Sequence, residues 1–312
     1  MADRQSSEKT PARLAQRGLA RRTLVVGGLA VDVYNHSHPP AAAVAEREVA
    51  VAFLLHGRNG SARRMEEFVV GIVEEVQRLR LREGGGLDLF VVAFDHRNHG
   101  RRLVDARANM GWSEDAEKDN PRHAIDMYSI LTGTAADVSY LIDFLPAYLF
   151  PHGERAVARW MCVGKSLGGH SAWHVLKNDP RVRIGVPVIG CPDYLALVTK
   201  RAKAHKLALA PPQLPASLRA RIAADDPAAA PYAAAGPENP FLGKKILVLA
   251  GKEDRVVPWS AGRAVVEALC VGEGGVKEVL VEEGVGHEFS ERMVREAARF
   301  LWEHGLKAGE RG

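Results

Sequence analysis

The chain has 312 residues, of which 46% are hydrophobic, a formal net charge of +4 at pH 7 and three cysteines. This length and apolar content are typical of one large α/β domain and exclude an intrinsically disordered chain. The widely spaced, odd-numbered cysteines argue against a disulfide-built domain, and the modest charge argues against a nucleic-acid-binding protein. Cys162 and Cys191 fall on or beside predicted central strands, so we expect buried thiols there.

The first residues differ in composition from the rest. Residues 1–22 are rich in arginine and lysine, which predicts a basic, flexible N-terminal arm. They lack the apolar core of a signal peptide, and no stretch is long and apolar enough to span a membrane, so we expect a cytoplasmic protein. Two short alternating segments, residues 23–27 and 29–34, predict an antiparallel hairpin. A loop rich in alanine and proline is expected at residues 39–45.

Two further strands follow, separated by a helix. Residues 51–55 form an apolar run that ends at His56 and Gly57, and residues 89–94 form another. Between them, residues 65–81 have apolar side chains at helical spacing.

The connection after the fourth predicted strand is unusually long. Residues 97–133 contain several large side chains, and an amphipathic helix is predicted only after them, at residues 135–149. Apolar and aromatic side chains beside polar ones are typical of a substrate pocket, whereas packing onto the protein body is the simpler interpretation of each alone. The candidate pocket residues are His56, Trp112, His123, Met127 and Tyr128.

A strand-to-helix junction lies at residues 161–170. It contains Gly-Lys-Ser-Leu-Gly, with Ser166 at the centre, and matches the G-x-S-x-G pattern of a nucleophile elbow. A strand that turns sharply into a helix leaves no room for side chains at the two flanking positions, which explains the glycines. The pattern alone also occurs in chance turns, but with this strand and helix around it we predict that Ser166 is a nucleophile.

The segment after the next predicted strand, residues 182–189, is also long. Residues 191–242 predict a small lid, cationic and helical in its front half and rich in proline and alanine in its rear half. The cationic stretch at residues 200–206 fits a solvated helix face, with binding of acidic substrates as the alternative. The remaining predicted elements are two strands and two helices, at residues 245–251, 278–281, 259–269 and 289–302.

A serine needs a base and a carboxylate to become nucleophilic. Asp254 and His287 each follow one of the last two predicted strands. The carboxyl ends of strands are where open α/β sheets place residues that face a ligand. The chain order Ser166, Asp254, His287 differs from the orders in chymotrypsin and subtilisin and is typical of one other fold. Glu253 is the alternative acid, with Asp254 then capping the following helix.

These motifs, in this order, resemble those of the α/β-hydrolases, including the esterase, prolyl-oligopeptidase and dienelactone-hydrolase branches. The resemblance implies an α/β-hydrolase fold: a mostly parallel eight-stranded sheet with helices on both faces and a small lid. Its core would comprise residues 23–190 and 243–306, with the lid at residues 191–242.

The resemblance also assigns an oxyanion hole to the backbone N–H groups of Arg58 and Leu167. Residues 95–100 resemble the family's D-x-R-G-x-G turn, with Asn98 in place of a glycine. Asparagine tolerates a positive φ better than most residues, so we expect the turn to be kept.

The implied function is that of a serine hydrolase that cleaves a carboxylic ester of a small molecule through an acyl-enzyme. A small-peptide, amide or thioester hydrolase is the first alternative, and a ligand-binding homologue with little turnover is the second. No cofactor and no metal are expected, because Asp95, His96 and His99 lack a recognised metal-ligand spacing. The sequence predicts neither a nucleic-acid partner nor an oligomeric state.

Overall fold

One eight-stranded sheet organises the protein. The computed structural model describes residues 14–36 and 48–307. The strands are β1 (Leu19–Val26), β2 (Leu29–His36), β3 (Glu48–Leu55), β4 (Asp88–Phe94), β5 (Ala156–Lys165), β6 (Val182–Val188), β7 (Lys245–Gly251) and β8 (Val276–Glu282). The α-helices are α1 (Glu66–Glu83), α2 (His123–Leu149), α3 (Leu167–Asn178), α4 (Tyr194–Ala204), α5 (Ala216–Asp225), α6 (Trp259–Ala268) and α7 (Glu291–Leu301).

The strand order is β1-β2-β4-β3-β5-β6-β7-β8. β3 to β8 are parallel to one another, and β2 is antiparallel to both β1 and β4. The predicted mostly parallel sheet is therefore confirmed. Parallel strands have their carboxyl ends at one edge of the sheet, so the loops after β3, β5, β7 and β8 meet there.

Helices cover both faces of the sheet, as predicted. On one face, α1 and α7 pack on the sheet around Val69, Ile72 and Phe300. On the other, α2, α3 and α6 enclose a second core around Leu141 and Trp173. Burial on both faces explains why the central strands are continuous apolar runs rather than alternating ones.

The first strand begins earlier than predicted. β1 starts at Leu19, whereas the sequence predicted a strand from residue 23 and a flexible arm over residues 1–22. The prediction took the charged segment as a solvated arm, but Arg21 Nη1 lies 2.8 Å from Glu66 Oε2, so this charge is paired within the fold. Residues 1–13 of the predicted arm and the loop predicted at residues 39–45 lie outside the described residues.

The helix after β4 also begins earlier than predicted. α2 starts at His123, so His123, Met127 and Tyr128 belong to a helix and not to the long connection in which the sequence placed them. Buried side chains recur along its first two turns at helical spacing, and they continue the apolar stripe of residues 135–149. The connection itself is correspondingly shorter and holds two short 3₁₀ turns, Gly100–Arg102 and Arg107–Asn109.

Two short helices, α4 and α5, lie between β6 and β7 in the segment predicted as a lid. Their apolar faces pack with the start of α2 into a third core cluster, which includes Tyr128, Leu197 and Ile222. The Tyr194 hydroxyl donates a 2.6 Å hydrogen bond to the Ala124 carbonyl oxygen and joins α4 to α2. Within residues 14–36 and 48–307, no helix is long and apolar enough to cross a membrane.

Candidate active site

Ser166 stands at the sharp turn between β5 and α3. Its φ of 55° and ψ of −111° place it in a region that residues with a side chain rarely adopt. Conformations of this kind cost about 1–3 kcal/mol and persist only where the surroundings enforce them. One such constraint is the Ser166 N–H, which donates a 2.9 Å hydrogen bond to the Val188 carbonyl oxygen on the neighbouring strand.

The glycines around Ser166 are required by close backbone approaches. A Cβ atom on Gly164 would overlap the carbonyl of Gly168, and one on Gly168 would overlap the carbonyl of Leu55. Likewise, a Cβ on Gly169 would lie 2.7 Å from the Val188 carbonyl oxygen. The helix therefore starts directly against β3 and β6, which leaves the serine side chain at the carboxyl edge of the sheet.

The structure brings Ser166, His287 and Asp254 into one hydrogen-bonded chain. Ser166 Oγ lies 2.8 Å from His287 Nε2, and His287 Nδ1 lies 2.7 Å from Asp254 Oδ2. An ionised carboxylate only accepts, so Nδ1 carries the proton donated to Asp254, and Nε2 is the free acceptor for the serine proton. This tautomer lets the imidazole act as a base towards Ser166.

Asp254 is held in a fixed orientation by the loop after β7. Its side chain is buried, and Oδ1 accepts hydrogen bonds from the N–H groups of Val256 (2.8 Å) and Val257 (2.9 Å). The remaining oxygen, Oδ2, is therefore directed to His287. Glu253, the alternative acid, is exposed and forms no hydrogen bond to His287.

The loop after β3 lies against the elbow. Gly57 is so close that a Cβ atom on it would lie 3.5 Å from Ser166 Cβ, and the Gly168 N–H donates a 3.0 Å hydrogen bond to the His56 carbonyl oxygen. Within the described part of the chain, the backbone N–H groups of Arg58 and Leu167 donate to no protein acceptor. These are the two donors that the resemblance assigned to an oxyanion hole, and neither is taken by a described protein group.

His56 and the turn after β4 form a buried polar network below this loop. His56 Nε2 accepts a 3.0 Å hydrogen bond from the His96 N–H, and burial lowers the pKa of His56 to about 4. Asp95 accepts from the N–H groups of Ala62 (2.8 Å) and Arg101 (2.9 Å). These contacts hold the loops in place.

Asn98 has the positive φ that its position in the turn predicted, at 58°. Its side-chain amide donates to the Asp105 carbonyl oxygen at 2.6 Å, and its Oδ1 accepts from the Asp105 N–H at 2.8 Å. A glycine would make neither contact, so the asparagine both adopts the turn and ties down the connection that follows.

A cavity of about 380 Å³ opens beside the site. Of the five candidate pocket residues, Trp112 and His123 line it, together with the Arg58 side chain. Met127 lies behind the cavity wall, with its Sδ 2.9 Å from Arg201 Nη1. His56 and Tyr128 do not line it: His56 is in the network below, and Tyr128 packs in the third core cluster, with α4 and α5.

Arg201 lines the same cavity, and the sequence did not identify it as a site residue. The stretch at residues 200–206 had been interpreted as a solvated face, and Lys203 and Lys206 are indeed exposed. Arg201, however, lies one helical turn after the buried Leu197 and is itself only partly accessible. Its spacing from Leu197 and Val198 was the signal for an inward position.

Potential metal ligands converge elsewhere. Among the described residues, one group of three side chains has atoms close enough to hold an ion: Glu278, Glu303 and His304. Both carboxylates are already paired with Arg299, and Glu278 lies near the amino end of β8, away from Ser166.

No protein-family model matches the chain, and neither does the sequence of any curated protein. Solved structures do. TT1662 from Thermus thermophilus has a TM-score of 0.63 at 23% identity, over 93% of this chain and 99% of that one. The Pyrococcus furiosus esterase Pf2001 has a TM-score of 0.52 at 17% identity, over 93% and 94% of the two chains. Est1E from Butyrivibrio proteoclasticus, solved with ferulic acid, has a TM-score of 0.55 at 14% identity, over 90% and 98%.

Structural similarity at such low sequence identity is evidence for a shared fold. The sheet order, the helices on both faces and the elbow between β5 and α3 are all present in this chain. Together with the similar structures, they identify this protein's fold as that of the α/β-hydrolases.

Proposed function

We propose that the protein is a serine hydrolase that cleaves a carboxylic ester of a small molecule through an acyl-enzyme. The observation that carries this proposal is the hydrogen-bonded chain from Ser166 through His287 to Asp254, with distances of 2.8 and 2.7 Å. Acyl transfer needs three groups: a serine, an imidazole in the correct tautomer and a buried carboxylate.

In the first half of the reaction, His287 Nε2 takes the proton of Ser166 as Oγ attacks the acyl carbon. The negative charge that develops on the carbonyl oxygen is stabilised by the N–H groups of Arg58 and Leu167. One such donor contributes roughly 3 kcal/mol to transition-state stabilisation in comparable sites. Asp254 keeps His287 oriented and stabilises the imidazolium.

The bond to the leaving alcohol then breaks, and the alcohol takes the proton from His287 Nε2. In the second half, His287 removes a proton from water, which attacks the acyl-enzyme. The carboxylic acid is released and Ser166 regains its proton. Every proton passes through Nε2, so neither a cofactor nor a metal is part of the mechanism.

An ester is preferred over an amide, a peptide or a thioester as the substrate. Two of the similar structures are an esterase and a protein solved with ferulic acid, which supports this choice. Amide, peptide and thioester bonds would be cleaved by the same serine, histidine and aspartate. These substrates differ from an ester only in the leaving group. A ligand-binding protein with little turnover would need no reactive serine, which gives a direct test.

The test is hydrolysis of p-nitrophenyl esters, from acetate to long acyl chains, by the wild type and Ser166→Ala. We expect kcat to fall on the order of 10⁶-fold, because removal of the nucleophile of such a unit costs about that much. Ser171→Ala is the matched control: its hydroxyl is buried in α3, where it bonds to the Leu131 carbonyl oxygen, and it has no part in the mechanism.

A fluorophosphonate should label the wild type and Ser171→Ala but not Ser166→Ala. Equal turnover by Ser166→Ala would contradict the serine mechanism. If the folded wild type hydrolyses no ester and the probe fails to label it, the ligand-binding alternative replaces the proposal.

A further inference from the structure

The cavity beside Ser166 is positively charged. Arg58 and Arg201 lie in its wall, and Lys200 and Arg255 lie at its exposed rim. No aspartate or glutamate lines it. Among the residues that the structure describes, none of these four cations forms an ion pair with an acidic side chain, whereas arginines in most other parts of the protein do.

Arg201 makes hydrogen bonds to uncharged groups. Nη1 donates to His123 Nε2 at 3.2 Å, and Nη2 donates to the Val256 carbonyl oxygen at 3.2 Å. A guanidinium has five N–H donors, so these contacts leave both donors and charge for a further acceptor. Burial lowers the pKa of Arg201 to about 10, which still leaves it charged at neutral pH.

His123 orients Arg201 without adding charge. Its Nδ1 donates to the Met110 carbonyl oxygen at 2.9 Å, so Nε2 is the acceptor for Arg201. Burial, with further contributions from Arg201 and Arg58, lowers the pKa of His123 to about 3. The imidazole is therefore neutral, and the positive charge of the inner wall comes from the two arginines.

Arg58 presents its charge to the same space. Its Nη1 donates to the Asn109 carbonyl oxygen at 3.2 Å, again an uncharged partner, and burial lowers its pKa. A Cβ atom on Gly111 would lie 3.4 Å from the same Nη1, an ordinary contact distance, so this guanidinium packs beside the connection after β4.

The cavity adjoins the reactive groups through two loops. Arg58 follows Gly57, which lies against Ser166. On the other side, Arg201 binds the carbonyl oxygen of Val256, whose own N–H binds Asp254. A molecule bound at Ser166 thus lies between loops that also form the cavity wall.

We propose, resting on the ester hydrolysis proposed above, that this cavity binds a carboxylate of the substrate. The preferred esters would carry a negative charge on their acyl or alcohol part. Guanidinium groups recognise carboxylates through paired N–H donors, and two unpaired guanidiniums in one cavity provide such a site.

A purely structural role for Arg201 is the competing explanation, because its contacts also join α4 to α2 and to the loop after β7. That role depends on hydrogen bonds and not on the charge of the substrate. The ratio of rates for charged and neutral substrates therefore separates the two explanations.

The experiment compares matched pairs of esters. In one pair, monomethyl and dimethyl glutarate differ in a negative charge on the acyl part; in the other, acetoxyacetate and its methyl ester differ in a negative charge on the alcohol part. We expect the wild type to favour the charged member of at least one pair about tenfold in kcat/KM, as one hydrogen bond between charged groups provides. Added salt should reduce this preference.

Arg201→Gln should abolish the preference, and Arg201→Lys should keep part of it. Lys203→Gln is the matched control, because Lys203 is on the same helix but exposed and outside the cavity. A preference that is absent in the wild type for both pairs, or unchanged in Arg201→Gln, overturns the proposal even if Ser166 is active.

Failure of the proposed function gives a different pattern. If neither pair is hydrolysed and fluorophosphonate does not label Ser166, the hydrolase assignment fails, and binding of free glutarate then tests the cavity alone. A rise in the melting temperature of the wild type but not of Arg201→Gln supports the carboxylate site. No rise in either protein overturns it.

Discussion

Ser166 has a backbone conformation that a serine rarely adopts, and neighbouring glycines make it possible. Its positive φ is enforced by the hydrogen bond from its N–H to β6 and by the direct contact of α3 with β3. Gly164 is the tightest point, since a Cβ atom there would overlap the first turn of α3. The position of Ser166 Oγ thus depends on Gly164 having no Cβ atom.

Gly164→Ala is expected to destabilise the protein by about 1–3 kcal/mol, as overpacking does, and to lower ester turnover at least 10²-fold. Urea unfolding and p-nitrophenyl ester kinetics measure the two effects. Gly71→Ala is the control, since its Cβ would meet only the Val294 Cγ1 methyl, at 3.0 Å. In the interior of α1 it exchanges glycine for a better helix former. Full activity in Gly164→Ala would contradict the steric argument.

At the scale of elements, a buried carboxyl connects helices α4 and α5. Asp226 follows α5, and it accepts a 3.1 Å hydrogen bond from the Ala228 N–H and weaker ones, at 3.4 Å, from the Tyr194 N–H at the start of α4. His174 Nε2 of α3 lies 3.9 Å away, but burial lowers the pKa of His174 to about 3, so it supplies no charge. Burial raises the pKa of Asp226 to about 7.

This pKa makes stability depend on pH. An unfolded aspartate ionises near pH 4, whereas Asp226 in the folded protein stays protonated up to about pH 7, so folding takes up a proton between these values. The contribution of Asp226 to stability is therefore present below about pH 4 and is lost as the pH rises towards 7.

Asp226→Asn cannot ionise, so we expect its stability relative to the wild type to increase by roughly 1.4 kcal/mol per pH unit across this window. Urea unfolding at several pH values measures the difference. Asp225→Asn is the neighbouring control, because Asp225 instead pairs with Lys177 and Arg221 near the surface. A difference between Asp226→Asn and the wild type that does not vary with pH would refute the argument.

At the scale of the whole molecule, the π-helical turn that follows α7, Trp302–Leu306, closes one face of the sheet. Trp302 is fully buried in the core that α1 and α7 form on this face, and its Nε1 donates a 2.9 Å hydrogen bond to Glu83 Oε2. The Leu306 carbonyl oxygen accepts from the Leu87 N–H at 2.8 Å, just before β4 begins. Residues near the end of the described chain thus pack into the same core as residues far earlier in the sequence.

Trp302→Ala should cost about 3–5 kcal/mol of stability, the usual effect of removing a large aromatic side chain from a core. Trp302→Phe should cost less, since it keeps an aromatic ring and loses mainly the hydrogen bond to Glu83. Denaturant unfolding compares both with Trp259→Ala, which truncates a tryptophan that is only partly buried. A loss in Trp302→Ala no larger than in Trp259→Ala would show that this face is not closed by Trp302.

The sequence predicted those features that depend on local requirements. Glycines on both sides of Ser166 follow from a turn that has no room for side chains, and apolar runs identify strands buried on both faces. Asp254 and His287 each follow a predicted strand, which was sufficient to anticipate that parallel strands bring them to one edge. The strand order and the two helical layers agree with that expectation.

Other features were decided by packing between segments distant in sequence. The start of α2 depends on the contact of Tyr128 and its neighbours with the lid helices, and the start of β1 depends on the pairing of Arg21 with Glu66. Arg201 resembles the adjacent surface lysines in the sequence, yet it turns inward because α4 packs its buried face on α2. Local sequence fixes which residues form the turn and the strands, whereas the charge and the lining of the cavity arise only when three separate loops and two helices, α2 and α4, meet.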